Sequence, residues 1–442
     1  MKIKINKIKL KLALTIFWLL SAAFYVAAQS QNRPVVDIYN EVSGYVKEKS
    51  KELAGQGKRI DAETRENLAQ DQKSLAKKYA AEIAARANLQ GVDLYYLGGL
   101  YDFAGNEAKI LETMKRFLVQ YPAETKGDAI QSARTYIIVI SAKQKQFADA
   151  EQNLQLWLKG APLIRSQLPA LEKSLAVSYY KDGKYEEAVK YAQRGFTNLK
   201  ALEAKTLAER RAKMELYASL VEILALSHRK TKNSDEALNI LAEVRALSFT
   251  IPSANLYRKV MEIVGGSGFS EKKLMQKVES YPIAYPAPEL GIQEWLGQDA
   301  VTLESLRGKV VLLDFWATWC GPCIATFPRL REWHKKYSSS GFTIIGVTQF
   351  YGEAGGKPMS PLQELDYLGE FKKKHKLPYG FAVSKRGEDT SKYDINAYPT
   401  TVLLDRNGII RYIGIGAGIE ESENLEDMIK KVMKEEIEKN LQ

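Results

Sequence analysis

The residues best suited to chemistry in this chain are Cys320 and Cys323, its two cysteines. They follow an apolar, β-branched run, Val310 to Phe315, which reads as a buried strand broken only by Asp314. They precede Ile324 to Tyr337, which reads as a helix. The pair therefore sits where a central strand turns into a helix N-terminus. Unpaired backbone N–H groups and the positive end of the helix dipole stabilise a thiolate there. A thiol with an ordinary pKa of about 8.5 can then ionise near neutral pH. Gly321 and Pro322 are the two intervening residues, and they let the second sulfur reach the first. A disulfide can close and open there with little backbone movement, as a cycling pair requires.

Two other chemistries fit the same spacing less well. Half of a zinc site would need two further ligands. The chain offers only His228, His334 and His375, none at ligand spacing to the pair, so no metal is expected. A static bridge between residues this close would constrain little chain and stabilise little.

The longer string Asp314-Phe315-Trp316-Ala317-Thr318-Trp319-Cys320-Gly321-Pro322-Cys323 resembles the active site of thioredoxin. With Leu306-Arg307-Gly308-Lys309 upstream, it is more similar to the secreted disulfide reductases of the TlpA and ResA type. Pro328 matches the kinking proline of the thioredoxin helix. Tyr398-Pro399-Thr400 resembles the cis-proline loop that faces the cysteines. Asn407-Gly408 marks a hairpin turn between two apolar runs. Asp314 matches the buried acid of thioredoxin, whereas the secreted relatives often have a different residue there. In thioredoxin a lysine on the neighbouring strand accompanies that acid, whereas Phe342 to Phe350 here holds no charged residue. A peroxidase on this fold would carry Thr or Ser three residues before its cysteine, where this chain has Ala317.

The resemblance implies a thioredoxin fold from Pro286 to the C-terminus. Its elements alternate as that fold requires. Strands are expected over Val310–Phe315, Phe342–Phe350, Phe381–Ser384, Thr400–Leu404 and Ile409–Ile415. Helices are expected over Pro322–Tyr337, Leu362–His375 and Asn424–Lys439, with a helical turn over Asp389–Tyr393. The polar stretch from Tyr351 to Pro361, with Gly352-Glu353-Ala354-Gly355-Gly356, is long for a connection: it reads as a tolerated surface insertion, the alternative being a loop that borders the active site.

The chain has 442 residues, enough for two or three domains, and 45% apolar content allows a sizeable core. Its formal charge of +11 falls to +6 without the first 28 residues, which carry five lysines and no acid. The remaining charges are interspersed, so no nucleic-acid partner is expected. Residues 1–28 resemble a secretory signal: Lys2 to Lys11 is basic, Leu12 to Val26 apolar, and Val26-Ala27-Ala28 small before a cut. An uncleaved anchor over residues 12–28 is the alternative. Either exports the rest to the periplasm or cell envelope.

Residues 34–264 read as helical, beginning with Val35, Ile38, Val42, Tyr45 and Val46 at helical spacing. Leu175 to Ala188 resembles a tetratricopeptide repeat, with Gly183 turning the chain and Tyr179, Tyr185 and Ala188 filling the contact between helices. Weaker echoes centre on Ala108, Ala150 and Ala237. Gly265-Gly266-Ser267-Gly268 opens an expected linker, residues 265–285.

The fold class is thus α+β multidomain, an all-α helical-repeat region followed by an α/β thioredoxin-fold domain. The expected function is that of a thiol-disulfide oxidoreductase, with Cys320 as nucleophile, Cys323 as resolving thiol and Asp314 as proton carrier. Trp319, Gly321, Pro322, Tyr398, Pro399 and Thr400 would receive a disulfide-containing protein. No cofactor is expected beyond the Cys320–Cys323 disulfide itself. The resemblance implies a membrane-bound thiol reductase as electron donor. The second reading is a scaffold: a protein partner on the helical region, with the thioredoxin-like domain as accessory or redox sensor.

Overall fold

The computed structural model describes residues 33–435, apart from 59, 122–126, 161–163, 279–280 and 282–285. The export segment expected over 1–28 lies outside the described residues, as do Pro122, Pro282 and Tyr285. Among the described residues no helix is long and apolar enough to cross a membrane. The chain forms two compact units, Met1–Gln167 and Leu168–Gln442.

The first unit is helical: α1 (Val35–Gly55), α2 (Ala62–Ala84), α3 (Val92–Ala104), α4 (Glu107–Leu118), α5 (Asp128–Lys143) and α6 (Phe147–Lys159). Val35, Ile38 and Val42 of α1 are buried, and they pack with Ala76, Ala80 and Ile83 of α2. Asp61 and Asn106 cap α2 and α4 by accepting the N–H groups of Thr64 and Lys109.

The second unit begins with six more helices. They are α7 (Leu168–Lys181), α8 (Tyr185–Lys200), α9 (Leu207–Lys230), α10 (Ser234–Thr250), α11 (Ala254–Ser267) and α12 (Glu271–Val278). One turn recurs in both units. Gly105, Lys145, Gly183 and Lys232 all have positive φ, and each stands two residues before a new helix. In each case the next N–H reaches back five residues: Asn106 to Tyr101, Gln146 to Ser141, Lys184 to Tyr179 and Asn233 to His228. Three of the four alanines of the repeat and its three weaker echoes follow from this turn. Ala150, Ala188 and Ala237 are the fourth residues of their helices and are fully buried. Ala108 is exposed; Ile110, the fourth residue of α4, fills that place.

The glycine run is not a break. Gly265, Gly266 and Ser267 are the last turn of α11, and Gly268, at φ 67°, ends it. Ser253 caps that helix, and Leu256, Tyr257, Val260, Ile263 and Val264 form its buried stripe. This stripe carries the helix through two glycines that cost about 1 kcal/mol each.

The sheet has six strands in the order β1-β6-β3-β2-β7-β8. They are β1 (Ile292–Leu296), β2 (Val310–Phe315), β3 (Phe342–Gln349), β6 (Gly380–Ser384), β7 (Thr400–Leu404) and β8 (Ile410–Ile415). Central β2 runs parallel to β3 and antiparallel to β7. Edge strand β1, antiparallel to β6, and a small hairpin, β4 (Glu353–Ala354) with β5 (Lys357–Pro358), were not legible in the sequence. The remaining helices are α13 (Gly321–Tyr337), α14 (Pro361–Lys374), α15 (Glu388–Lys392) and α16 (Ile419–Lys434). The last starts five residues earlier than expected, and residues 436–442 lie outside the described part.

The two faces of β2 have different coverings, because side chains alternate. Val310 and Leu312 face α13, α14 and α16, with Phe327, Leu368 and Ile429. Val311, Leu313 and Phe315 face Phe249, Ala254 and Tyr257 from α10 and α11. The helices expected in a separate domain thus cover one face of the sheet, which is why residues 168–278 belong to its compact unit.

Candidate active site

Strand β2 delivers the chain to the site, and α13 begins there. Trp316 closes the strand by donating its N–H to the Val347 carbonyl at 3.0 Å. Cys320 is the N-cap of α13, and its Sγ accepts the Cys323 N–H at 3.2 Å. Cys320 and Cys323 are joined by a disulfide, with Cα atoms 5.3 Å apart. Cys320 is the less buried, 4% exposed against 0% for Cys323. Gly321 and Pro322 are exposed, and a Cβ added at Gly321 would meet nothing within 4 Å. Pro328 lies inside α13, where it withholds one helical N–H.

An aromatic surface adjoins the pair. Trp319 is 61% exposed, the one large apolar side chain of the site that faces solvent. Its ring meets Tyr351 edge-on at 5.6 Å and Tyr398 at 5.9 Å. The Tyr351 hydroxyl donates to that of Tyr398 at 3.2 Å. Burial raises the pKa of both phenols, so both remain neutral. The Tyr398-Pro399 bond is cis, as expected. The Pro399 carbonyl accepts the Gly416 N–H at 2.9 Å, whereas the Tyr398 backbone makes no hydrogen bond among the described residues. Thr400 does not face the surface. It is 1% exposed and donates its hydroxyl to the Ala397 carbonyl at 2.8 Å, so it shapes the loop from within.

Asp314 lies on the β2 face that α13 covers, the face of Val310 and Leu312. It is 1% exposed, and neither carboxylate oxygen has a hydrogen-bond partner among the described residues. Its strand neighbours are Gly346 and Thr401, neither charged. Burial alone pushes its pKa up to about 7. Gly346 is required here: a Cβ would come within 2.9 Å of both Trp316 Nε1 and the Phe381 ring. Tyr379, buried with its hydroxyl unpartnered, lies close enough for Asp314 to raise its pKa further beyond the effect of burial.

Two residues of the site were missed in the sequence. Tyr351 lies in the stretch that reads as a surface insertion, yet it completes the aromatic surface, which favours the alternative of a loop bordering the site. Glu364, in the first turn of α14, is 2% exposed and accepts the Tyr351 and Gly352 N–H groups at 2.8 and 3.0 Å. Its helix was legible; that its carboxylate turns inward was not.

Comparison with known proteins falls on this same part of the chain. The Redoxin family matches residues 285–429. The thiol-disulfide oxidoreductase ResA of Oceanobacillus iheyensis is 31% identical over 140 residues, 31% of this chain and 67% of that protein. ResA of Bacillus cereus is 29% identical over 181 residues, 40% of this chain and 95% of that protein. Among solved structures, a thiol-disulfide isomerase from Corynebacterium glutamicum covers 34% of this chain and 97% of its own, at 23% identity and a TM-score of 0.30. The cysteine pair on its strand-to-helix turn and the two ResA relatives agree: through its C-terminal part, the chain belongs to the thioredoxin-like thiol-disulfide oxidoreductases of the ResA type.

Proposed function

We propose that this enzyme is an exported reductase of protein disulfides that works by dithiol exchange. The observation that carries the reading is the Cys320 sulfur at the N-cap of α13, accepting the Cys323 N–H beside the exposed Trp319. In the reduced enzyme the same N–H and the helix dipole favour the Cys320 thiolate. That thiolate attacks one sulfur of a substrate disulfide. A mixed disulfide forms, and the departing substrate sulfur takes up a proton. Cys323 then loses its proton and attacks Cys320, which releases the second substrate thiol. Two electrons have passed to the substrate, and the Cys320–Cys323 disulfide remains.

Trp319, Gly321, Pro322 and the Tyr398 side chain form the receiving surface in this reading. The unpaired Tyr398 backbone offers one N–H and one C=O to an extended substrate chain, in the manner of an added strand. Asp314 takes the Cys323 proton, for which a carboxyl that titrates near neutrality is suited. Regeneration requires two electrons from a dithiol donor, here a membrane-bound thiol reductase. The basic and apolar character of residues 1–28 supports export.

Insulin-disulfide reduction with dithiothreitol tests the activity, and equilibration with glutathione buffers tests its direction. A potential near that of thioredoxin, about −270 mV, is expected. A strongly oxidising potential without insulin reduction would overturn the reductase reading.

A further inference from the structure

The second unit holds a cavity to which no residue of the cysteine site contributes. It lies between α10–α12 on one side and edge strand β8 with helix α16 on the other, and measures about 860 Å³. Sites for small molecules commonly measure roughly 300–1,000 Å³. Its deepest polar group is Arg245 of α10, 2% exposed. The guanidinium lies 4.9 Å from the Phe249 ring centre and 5.4 Å from that of Tyr257. The Tyr257 hydroxyl lies beside it, and the Arg245 Nε has no hydrogen-bond partner.

Buried guanidinium groups are normally matched by a carboxylate, because removing the charge from water is costly. Among the described residues no carboxylate forms an ion pair with Arg245, although several line the same cavity. Glu262 pairs with Arg258 at 2.5 Å, and Glu421 accepts the Tyr412 hydroxyl at 2.7 Å. Glu271, Glu420 and Asp427 stand exposed at the rim. Between rim and floor the walls are apolar and adaptable, formed by Met261, Met275, Met428 and Phe269.

We propose that this cavity binds a single carboxylate carried on an apolar body, with Arg245 as its anchor. The planar guanidinium offers paired donors that match a carboxylate. The methionines and Phe269 take up the apolar body. Lys431 is exposed at the same rim, but Glu271, Glu420 and Asp427 outnumber it, so the mouth disfavours phosphate-rich and other polyanionic molecules and the part of the ligand left there is neutral or cationic. A free alkyl carboxylate and the carboxyl terminus of a peptide ending in an apolar residue share this chemistry.

Isothermal titration of the full-length protein tests the assignment. One probe is octanoate, against octanamide. The other is a five-residue peptide ending in leucine, with a free or an amidated carboxyl terminus. Saturable binding with one site is expected for at least one carboxylate, and about tenfold or more weaker binding for its amide. Octanoate alone would assign a free amphiphile, the peptide alone a peptide terminus, and binding of both the shared chemistry. Arg245→Leu should abolish binding. Gly265→Trp guards against a folding defect. Gly265 lines the cavity, and a Cβ there meets nothing within 4 Å, so the variant fills the mouth without crowding its helix. Both variants should still reduce insulin disulfides. Binding of neither carboxylate, equal binding of the amides, or binding that survives Gly265→Trp would overturn the proposal.

Discussion

The Glu364 carboxylate accepts the Tyr351 N–H at 2.8 Å, and with its second oxygen the Gly352 N–H at 3.0 Å. The loop after β3 is thereby tied to the first turn of α14, and the Tyr351 ring is held against Trp319 and Tyr398. Replacing the carboxylate leaves two backbone donors without partners in a part-buried place. Glu364→Ala should cost about 2–4 kcal/mol of stability, because hydrogen bonds to charged groups are the stronger kind. The enzymatic effect should be selective. KM for a protein disulfide should rise severalfold, since the aromatic surface is disordered, while reaction with a small aromatic disulfide should hardly change. Titration with urea and steady-state kinetics on both substrates would check this. Equal losses on both substrates would show that Glu364 acts on the cysteines and not on the receiving surface.

Asp314 ties stability to pH. Burial raises its pKa in the folded chain to about 7, against about 3.9 for an ordinary aspartate. Below about pH 4 the carboxyl is protonated in both states, and burial carries no charge penalty. Between there and pH 7 the unfolded chain has released the proton and the folded chain has kept it. Stability therefore falls as pH rises through this window, then levels off. The loss is on the order of 4 kcal/mol. Asp314→Asn removes the titration, so the difference in stability between the two proteins should move in the variant's favour from pH 4 to pH 8. Urea unfolding at several pH values reads it directly. In stopped-flow measurements the variant should resolve the mixed disulfide more slowly near neutral pH and keep the initial attack by Cys320. An unchanged resolution rate and pH profile would remove Asp314 from the mechanism.

The central motif was legible because its signals are local. A β-branched run, a two-residue gap between cysteines and a capped helix each follow from neighbouring residues, and they place Cys320 at the N-cap of α13. Asp314 was legible for the same reason: one acid in an apolar strand must be buried with it. What could not be read depends on long-range approach. Tyr351 belongs to a polar, glycine-rich stretch, and only the fold of β4 and β5 and the buried Glu364 return it to Trp319. Thr400 follows the cis proline in sequence, yet the start of β7 turns its hydroxyl inward to Ala397. Gly265 and Gly266 read as a break by composition, but the apolar stripe from Leu256 to Val264 holds the helix through them.

The two cysteines should behave differently in trapping. Cys320 is the less buried and caps α13, whereas Cys323 is enclosed among Phe327 and its neighbours. Cys323→Ser should accumulate a mixed disulfide with substrate through Cys320, and Cys320→Ser should not. Mass spectrometry after reaction with a peptide disulfide reads the adduct. Equal trapping by both variants, or trapping by Cys320→Ser alone, would reverse the assignment.

The helices before the sheet should prove necessary to it. A fragment of residues 286–442 was the unit expected from sequence. The structure instead places Phe249, Ala254 and Tyr257 against Val311, Leu313 and Phe315 of the central strand. Polar contacts reinforce that seam. The Ala254 N–H donates to the Tyr393 carbonyl at 3.1 Å. The Ser253 hydroxyl and the Asn255 amide donate to the two oxygens of Asp394, at 2.6 and 3.0 Å. Asp394 has φ 50°, a conformation that needs such support, and it stands four residues before Tyr398. A fragment starting at Pro286 keeps Leu303, Leu306 and Tyr393 on that face of β2 but loses Phe249, Ala254 and Tyr257, so it should unfold well below the temperature at which a fragment starting at Leu168 does. Within the full chain, Phe249→Ala should cost about 3–5 kcal/mol. Ser253→Ala, which loses both the α11 cap and the Asp394 contact, should cost about 1–2 kcal/mol. It should also slow insulin reduction, because the loop that carries Tyr398 and Pro399 loses its support. Thermal unfolding of both fragments and both variants decides the matter. A fragment of residues 286–442 as stable as the one from Leu168 would mean that the sheet domain needs no covering from these helices.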